Sequence, residues 1–307
     1  MDAGVNALDT ANSYAEGRSE EMLGRLLKGR RDKLIVATKV FNPMGPDIND
    51  SGTSRRHIMQ AAEASLRRLQ TDYIDLYQIH HVDRETPTEE RLRALDDLVR
   101  QGKVRYIGVS NEYARRLCDA LWISESQQLA RYESLQPQYN LLTRDIEEEI
   151  LPLCREKRVG VIVWAPLAGG YLTGKYETRV APPQQTRFGQ TDSMIQRFFS
   201  PQSDEILATL RSSAEEMGRS MSQVALRWIL DQAGITSVIV GATSADQLRN
   251  NLGCTGWTLP PALLAQLNDI SRLPPRFPHS MEQNMHQRRA DAVQMGKPEA
   301  SAPIGKS

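Results

Sequence analysis

Apolar residues along this chain fall into two alternating rhythms. Short runs rich in Val, Ile, Leu and Tyr occur at residues 5–9, 34–39, 73–80, 104–110, 134–138, 159–165 and 237–241, and their composition predicts seven strands. Between them, apolar positions recur every three to four residues, as in Ile58, Ala62, Leu66 and Leu69, in Leu92, Leu95 and Val99, and in Val224, Trp228 and Ile229. That spacing predicts amphipathic helices. Start signals agree with the phasing: Ser54 and Ser220 precede two helices, Thr86-Pro87-Thr88-Glu89-Glu90 opens another with proline in its first turn, and Thr243-Ser244 opens the last. The rhythm is a repeated βα unit.

Repeated βα units with strands that read as buried apolar runs predict a parallel sheet, either doubly wound or closed into a barrel. The polar residues decide between these. Asp9, Lys39, His80, Ser110 and Gln136 sit at or near the C-terminal ends of five different strands, which is where a (β/α)8 TIM barrel collects its chemistry. A doubly wound sheet would concentrate contacts at one switch point, usually with a Gly-rich first turn, and the chain has no GxGxxG. The expected architecture is therefore an α/β barrel spanning residues 1–275, with a tail over 276–307 whose last part, 295–307, is small and polar. Residues 176–201, rich in Pro, Gln, Thr and Arg, read as a long functional loop or lid.

Charge narrows the partners. The 38 basic and 38 acidic side chains balance, so nothing favours nucleic acid or an anionic membrane, and a small-molecule partner is expected. The chain shows neither a membrane-length apolar run nor a signal-peptide layout, so the expected location is the cytoplasm. Its three cysteines lack CxxC spacing and read as free, inert thiols. The pattern does not indicate an oligomeric state.

Four residues carry the candidate chemistry. Asp9 ends the first strand, Tyr14 follows five residues later, and Lys39 and His80 end the next two strands. In a barrel these positions converge. A phenol is a poor proton donor near neutrality unless an ammonium stabilises its anion, and an ammonium at a barrel mouth needs a carboxylate partner. Asp9 can hold Lys39, Lys39 can tune Tyr14, and His80 can donate a hydrogen bond to a carbonyl oxygen. A metal site is not expected. His80 and His81 are strand neighbours, expected on opposite faces, and His57, His279 and His286 have no ligand spacing.

The order and spacing of several phrases resemble the aldo-keto reductase family over about 280 residues, most nearly the bacterial oxidoreductases akin to potassium-channel β-subunits. These are Gly4-Val5-Asn6-Ala7-Leu8-Asp9-Thr10-Ala11 running on to Gly17-Arg18-Ser19-Glu20-Glu21, then Ala37-Thr38-Lys39, the stretch 73–80, the stretch 102–111, and Gly241-Ala242-Thr243. The resemblance implies an NADPH-dependent oxidoreductase reducing an aldehyde or ketone, with Tyr14 as proton donor beside Asp9, Lys39 and His80. For the cofactor it implies Ser110, Asn111 and Gln136 on the nicotinamide carboxamide and Trp164 against the ring. Pro166, Leu167, Gly169, Gly170, Leu172, Gly174 and Lys175 fall around the pyrophosphate, and Gly241, Thr243, Gln247, Asn250 and Asn251 at the adenosine-phosphate end. Arg187 falls where a 2′-phosphate would be clamped, which favours NADPH, with NADH possible. The rival expectation is an NADPH-binding regulatory or redox-sensing subunit that turns over little. By the same resemblance a first strand and helix are expected before the Gly-Val-Asn phrase, so seven of eight βα units are evident. The chain as written is expected to be less stable, and to bind NADPH more weakly, than one extended by them.

Overall fold

The structure, a computed structural model, describes residues 3–176 and 200–282 together with 285, 286, 288 and 289. Contacts divide the chain into Met1–Ser271 and Arg272–Ser307. The lid expectation falls almost wholly on 177–199, and the tail expectation on 295–307; both lie outside the described residues.

In the first unit, seven strands form one parallel sheet in sequence order. They are β1 (Ala7–Asp9), β2 (Ile35–Val40), β3 (Ile74–Ile79), β4 (Val104–Ser110), β5 (Tyr132–Gln136), β6 (Gly160–Val163) and β7 (Ile235–Val238). The connecting helices are α1 (Arg18–Leu27), α2 (Arg55–Leu69), α3 (Thr88–Arg100), α4 (Ala114–Gln127), α5 (Ile150–Lys157), α6 (Pro201–Glu216), α7 (Met221–Leu230), α8 (Ala245–Leu252) and α9 (Pro261–Ile270). No described helix is long and apolar enough to cross a membrane.

The inner strands form because both of their faces are covered. Five of the six residues of β2 and five of the six of β3 are buried, as expected when helices pack outside and side chains fill the inside. Helix α2 shows how each cover is built. Ser54 Oγ accepts from His57 N at its start, Gln70 closes its end in the left-handed conformation, and Ile58, Ala61, Ala62, Ser65, Leu66 and Leu69 form the buried stripe between. Burial of each large aliphatic side chain contributes roughly 1.5–3 kcal/mol.

The sheet is curled rather than flat. Asp9 on β1 accepts a hydrogen bond from Gln136 on β5 at 2.8 Å. In a flat sheet those strands would lie ~19 Å apart, so the sheet must bend until its interior side chains meet. Among the described residues β1 pairs only with β2 and β7 only with β6, so a complete eight-unit barrel is not seen. The two edge strands are correspondingly less buried than those between them.

Sequence periodicity misplaces four features. Strand β5 was expected at 134–138 but runs over Tyr132–Gln136. The last strand was expected at 237–241 but runs over Ile235–Val238. Its residues Thr236 and Ser237 are exposed, as an edge strand permits, and an apolar-run criterion passes over them. Pro87 sits at the cap of α3, outside the first turn. The helix opened by Ser244 is followed by α9, which Pro261 starts at its first position.

A buried polar knot fixes the start of the chain against this frame. Glu20 on α1 is fully buried, accepts from Thr38 Oγ1 on β2 at 2.5 Å, and meets Arg68 Nε on α2 at 2.6 Å. Thr10 Oγ1 lies 2.7 Å from Ser19 Oγ, tying the loop after β1 to α1. Gly24 lets the helices touch, since a Cβ there would fall 2.5 Å from the Arg68 carbonyl oxygen. Glu20→Ala strands the Arg68 guanidinium and is expected to lower stability by about 3 kcal/mol. Urea denaturation checks this; a loss within the ~1 kcal/mol of a surface ion pair contradicts it.

Candidate active site

Parallel pairing sets the site residues side by side at the C-terminal end of the sheet. Asp9 pairs with Ala37, Lys39 with Gln78, and Ser110 with Gln136. Lys39 is fully buried, with Nζ 2.5 Å from Asp9 Oδ2 and 2.9 Å from the Thr10 carbonyl oxygen. Burial pulls the Lys39 pKa below its ordinary value, and the Asp9 carboxylate opposes that pull. The other oxygen of Asp9 accepts from Gln136 Nε2 at 2.8 Å and from Gln78 Nε2 at 3.5 Å. Both glutamines are buried. An ammonium taken out of water is thus answered by a carboxylate whose second oxygen is itself held.

Tyr14 and His80 lie over this pair. Lys39 Nζ is 5.2 Å from the centre of the Tyr14 ring, and Tyr14 meets His80 edge-on with ring centres 5.6 Å apart. Tyr14 is 42% exposed, so it remains open to solvent. His80 is buried. Burial, then the Lys39 charge, then His81 bring the His80 pKa down to about 3. The imidazole is therefore neutral over the range in which histidines usually titrate.

His81 departs from expectation. Its ring stacks on that of His80 at 4.5 Å between centres, with planes 6° apart, and meets Phe41 edge-on. Strand alternation would have put the two histidines on opposite faces, but β3 ends at Ile79, so alternation no longer governs them. Among the described residues there is no group of three or more metal-ligating side chains.

A second cluster adjoins the first. Asn111 takes the left-handed conformation at φ +59°. That turn brings its Nδ2 to 3.0 Å from Ser110 Oγ and 3.1 Å from the His80 carbonyl oxygen, while Trp164 Nε1 donates to its Oδ1 at 2.9 Å. Ser110 Oγ donates to the Gln136 carbonyl oxygen at 2.7 Å. Ser110, Asn111, Gln136 and Trp164 are thereby brought together.

Beyond Trp164 the chain turns sharply through Pro166 and Leu167, with positive φ at Ala165, Ala168, Gly169, Gly170 and Gly174. Non-glycine residues held there store strain. Leu172 is buried in this loop. A Cβ on Gly170 would fall 3.1 Å from Lys175 Nζ, so the ammonium lies over bare backbone. Such a cradle suits a phosphate-bearing ligand.

The stretch at 241–251 is less convergent. Residues 241–250, among them Gly241, are exposed. Gln247 Oε1 accepts from Thr243 N and Oγ1, Asn250 accepts from Gln223, and Asn251 is buried. Ser244 caps α8 here. Arg187 lies outside the described residues.

Three contributors escaped sequence reasoning. Gln78 could have been found as a polar residue inside an apolar strand, opposite Gly108, where a Cβ would fall 3.2 Å from Gln78 Cγ. Asn42, with Nδ2 3.0 Å from Ser13 Oγ and 3.5 Å from His80 Nδ1, follows β2 in a loop and gives no periodic signal. Glu20 looks like an ordinary acidic residue in the first turn of a helix.

Comparison with known proteins identifies the family. A family model described as "Aldo/keto reductase family" matches residues 1–272. A protein of Arabidopsis thaliana named "Probable voltage-gated potassium channel subunit beta" is 34% identical over 287 residues, covering 91% of this chain and 87% of that protein. The "Uncharacterized oxidoreductase YrpG" of Bacillus subtilis is 36% identical over 282 residues, 88% of this chain and 84% of its own. "Aldo-keto reductase YhdN" of the same bacterium is 34% identical over 267 residues, 84% and 77% respectively.

The depressed His80 pKa has a consequence for stability. Between 6.5, the ordinary histidine value, and about 3, the unfolded chain holds the proton and the folded chain does not. Stability therefore rises with pH across that window, is full above it, and is lost as pH falls. His81 and His57, also shifted down by burial, act in the same direction. Urea midpoints measured from about pH 7 to 5 are expected to fall less steeply in His80→Gln than in wild type. Parallel curves contradict the assignment.

Proposed function

The chain belongs to the aldo-keto reductase family, and from that premise we propose an NADPH-dependent oxidoreductase that reduces an aldehyde or ketone to an alcohol. The observation that carries this reading is the buried Lys39–Asp9 pair at 2.5 Å beneath Tyr14 and beside a neutral His80.

The residues present fit a nicotinamide cofactor. Ser110, Asn111 and Gln136 offer the hydroxyl and amides a carboxamide requires, and Trp164, anchored through its indole N–H to Asn111, offers a flat face to an aromatic ring. The glycine cradle with Lys175 suits a pyrophosphate; Gly241, Thr243 and Gln247 lie about the N-terminal end of α8, suited to the adenosine phosphate, with Asn250 and Asn251 proposed for the same end of the cofactor from the last turn of that helix. Arg187 is proposed for the 2′-phosphate, with NADH the alternative. When bound, the cofactor supplies the hydride.

The chain's own residues supply the rest. His80, neutral, donates a hydrogen bond to the carbonyl oxygen and orients it. Tyr14 gives its hydroxyl proton to that oxygen as negative charge develops there, so the O–H bond of the phenol breaks and the O–H bond of the alcohol forms. The Lys39 ammonium stabilises the phenolate left behind, and Asp9 keeps Lys39 charged despite its burial. Solvent restores the phenol proton, since Tyr14 is exposed.

The similarity to proteins named as probable channel β-subunits supports a second reading, an NADPH-binding regulatory or redox-sensing subunit with slow turnover. Tyr14→Phe separates the two. Under the reductase reading it lowers carbonyl reduction by about 10²–10⁴-fold and leaves NADPH affinity, read by fluorescence titration, nearly unchanged. Turnover retained in the variant excludes Tyr14 as the donor; negligible turnover in wild type with NADPH bound favours the regulatory reading.

A further inference from the structure

His80 can orient a carbonyl only with a proton on the nitrogen that faces it, and a neutral imidazole has one proton for two nitrogens. Something must choose between the tautomers. The groups around the ring are Tyr14 at its edge, His81 stacked on its face, Lys39 as the nearby charge and Asn42 at Nδ1. Asn111 binds the backbone carbonyl of His80, which fixes the main chain and leaves the ring nitrogens to other groups.

Asn42 is placed to make the choice. Its Nδ2 lies 3.0 Å from Ser13 Oγ and 3.5 Å from His80 Nδ1. A carboxamide nitrogen has two hydrogens and accepts nothing, so one N–H can meet each partner. Ser13 immediately precedes Tyr14, so one amide spans the loop that carries the phenol and the histidine beside it. A nitrogen that receives an N–H cannot itself carry the proton.

We propose that Asn42 is a positioning residue whose amide, braced on Ser13, donates to His80 Nδ1 and so holds the His80 proton on Nε2. The arrangement resembles the logic by which any hydrogen bond to one ring nitrogen decides the state of the other. It rests on the reading that His80 donates to a substrate carbonyl oxygen, and adds the residue that makes that donation available.

Nitrogen-15 NMR of protein labelled at histidine, with the His80 signal assigned by its loss in His80→Gln, reads the tautomer directly and without substrate. Wild type is expected to carry the His80 proton on Nε2. Asn42→Leu removes the donor and is expected to give a mixture of tautomers. Asn42→Asp places an acceptor at Nδ1 and is expected to move the proton there or charge the ring. In turnover, Asn42→Asp is expected to lower kcat by about 10²-fold or more, with a smaller change in KM, and Asn42→Leu to lower it less. A wild-type proton on Nδ1, or a tautomer unchanged in both variants, overturns the proposal, and the wild-type spectrum decides even if the aspartate variant misfolds. Should the tautomers behave as expected while wild type reduces no aldehyde or ketone with NADPH, the assignment of Asn42 stands and the reductase reading falls.

Discussion

One buried ion pair organises this molecule. Lys39 has no exposure to solvent, and its ammonium faces Asp9 at 2.5 Å. Removing an ammonium from water costs several kcal/mol unless attraction and hydrogen bonds answer it. That constraint dictates the surroundings. Asp9 must sit at the end of a strand neighbouring that of Lys39, the Thr10 carbonyl oxygen must turn inward, and the second carboxylate oxygen must find Gln136 and Gln78. The pair then shapes its neighbours, because the Lys39 charge adds to burial in lowering the pKa of both His80 and His81.

The fold can meet that constraint only because the sheet curls. Side chains from β1, β2, β3 and β5 reach one point, although β1 and β5 are separated by three strands in the sheet order. The knot of Glu20, Thr38 and Arg68 performs the matching task outside the sheet, locking α1 and α2 to β2 one residue before Lys39. The loop after β6 carries backbone strain, since Ala165 and Ala168 take left-handed conformations there. That loop begins one residue beyond Trp164, next to the groups proposed to hold the nicotinamide.

Much of this could be read from the residues alone, and the parts that could not share a cause. Strands covered on both faces announce themselves as apolar runs, and β4 has the bounds expected of it. Edge strand β7 does not, because polar residues are tolerated where one side is unpaired. The convergence of Asp9, Tyr14, Lys39 and His80 was expected from their positions at strand ends. Orientation beyond a strand end was not, since periodicity stops where pairing stops; hence the stacked His80 and His81. Asn42 and Gln78 act through contacts between distant segments, and a single residue in a loop or strand carries no sign of such a contact. Family membership supplies the oxidoreductase class, while the cofactor and substrate assignments are proposals that start from the family resemblance and are supported by the chemistry of the side chains gathered here.

The central claim is that the buried Lys39 charge makes Tyr14 an effective proton donor. Lys39→Met tests it most directly, because methionine fills the buried volume without the charge. NADPH-dependent reduction of a simple aldehyde, followed across pH in wild type and in the folded variant, is expected to fall by about 10²-fold or more in the variant, with NADPH affinity close to that of wild type. A variant that keeps wild-type turnover and an unchanged pH profile contradicts the account.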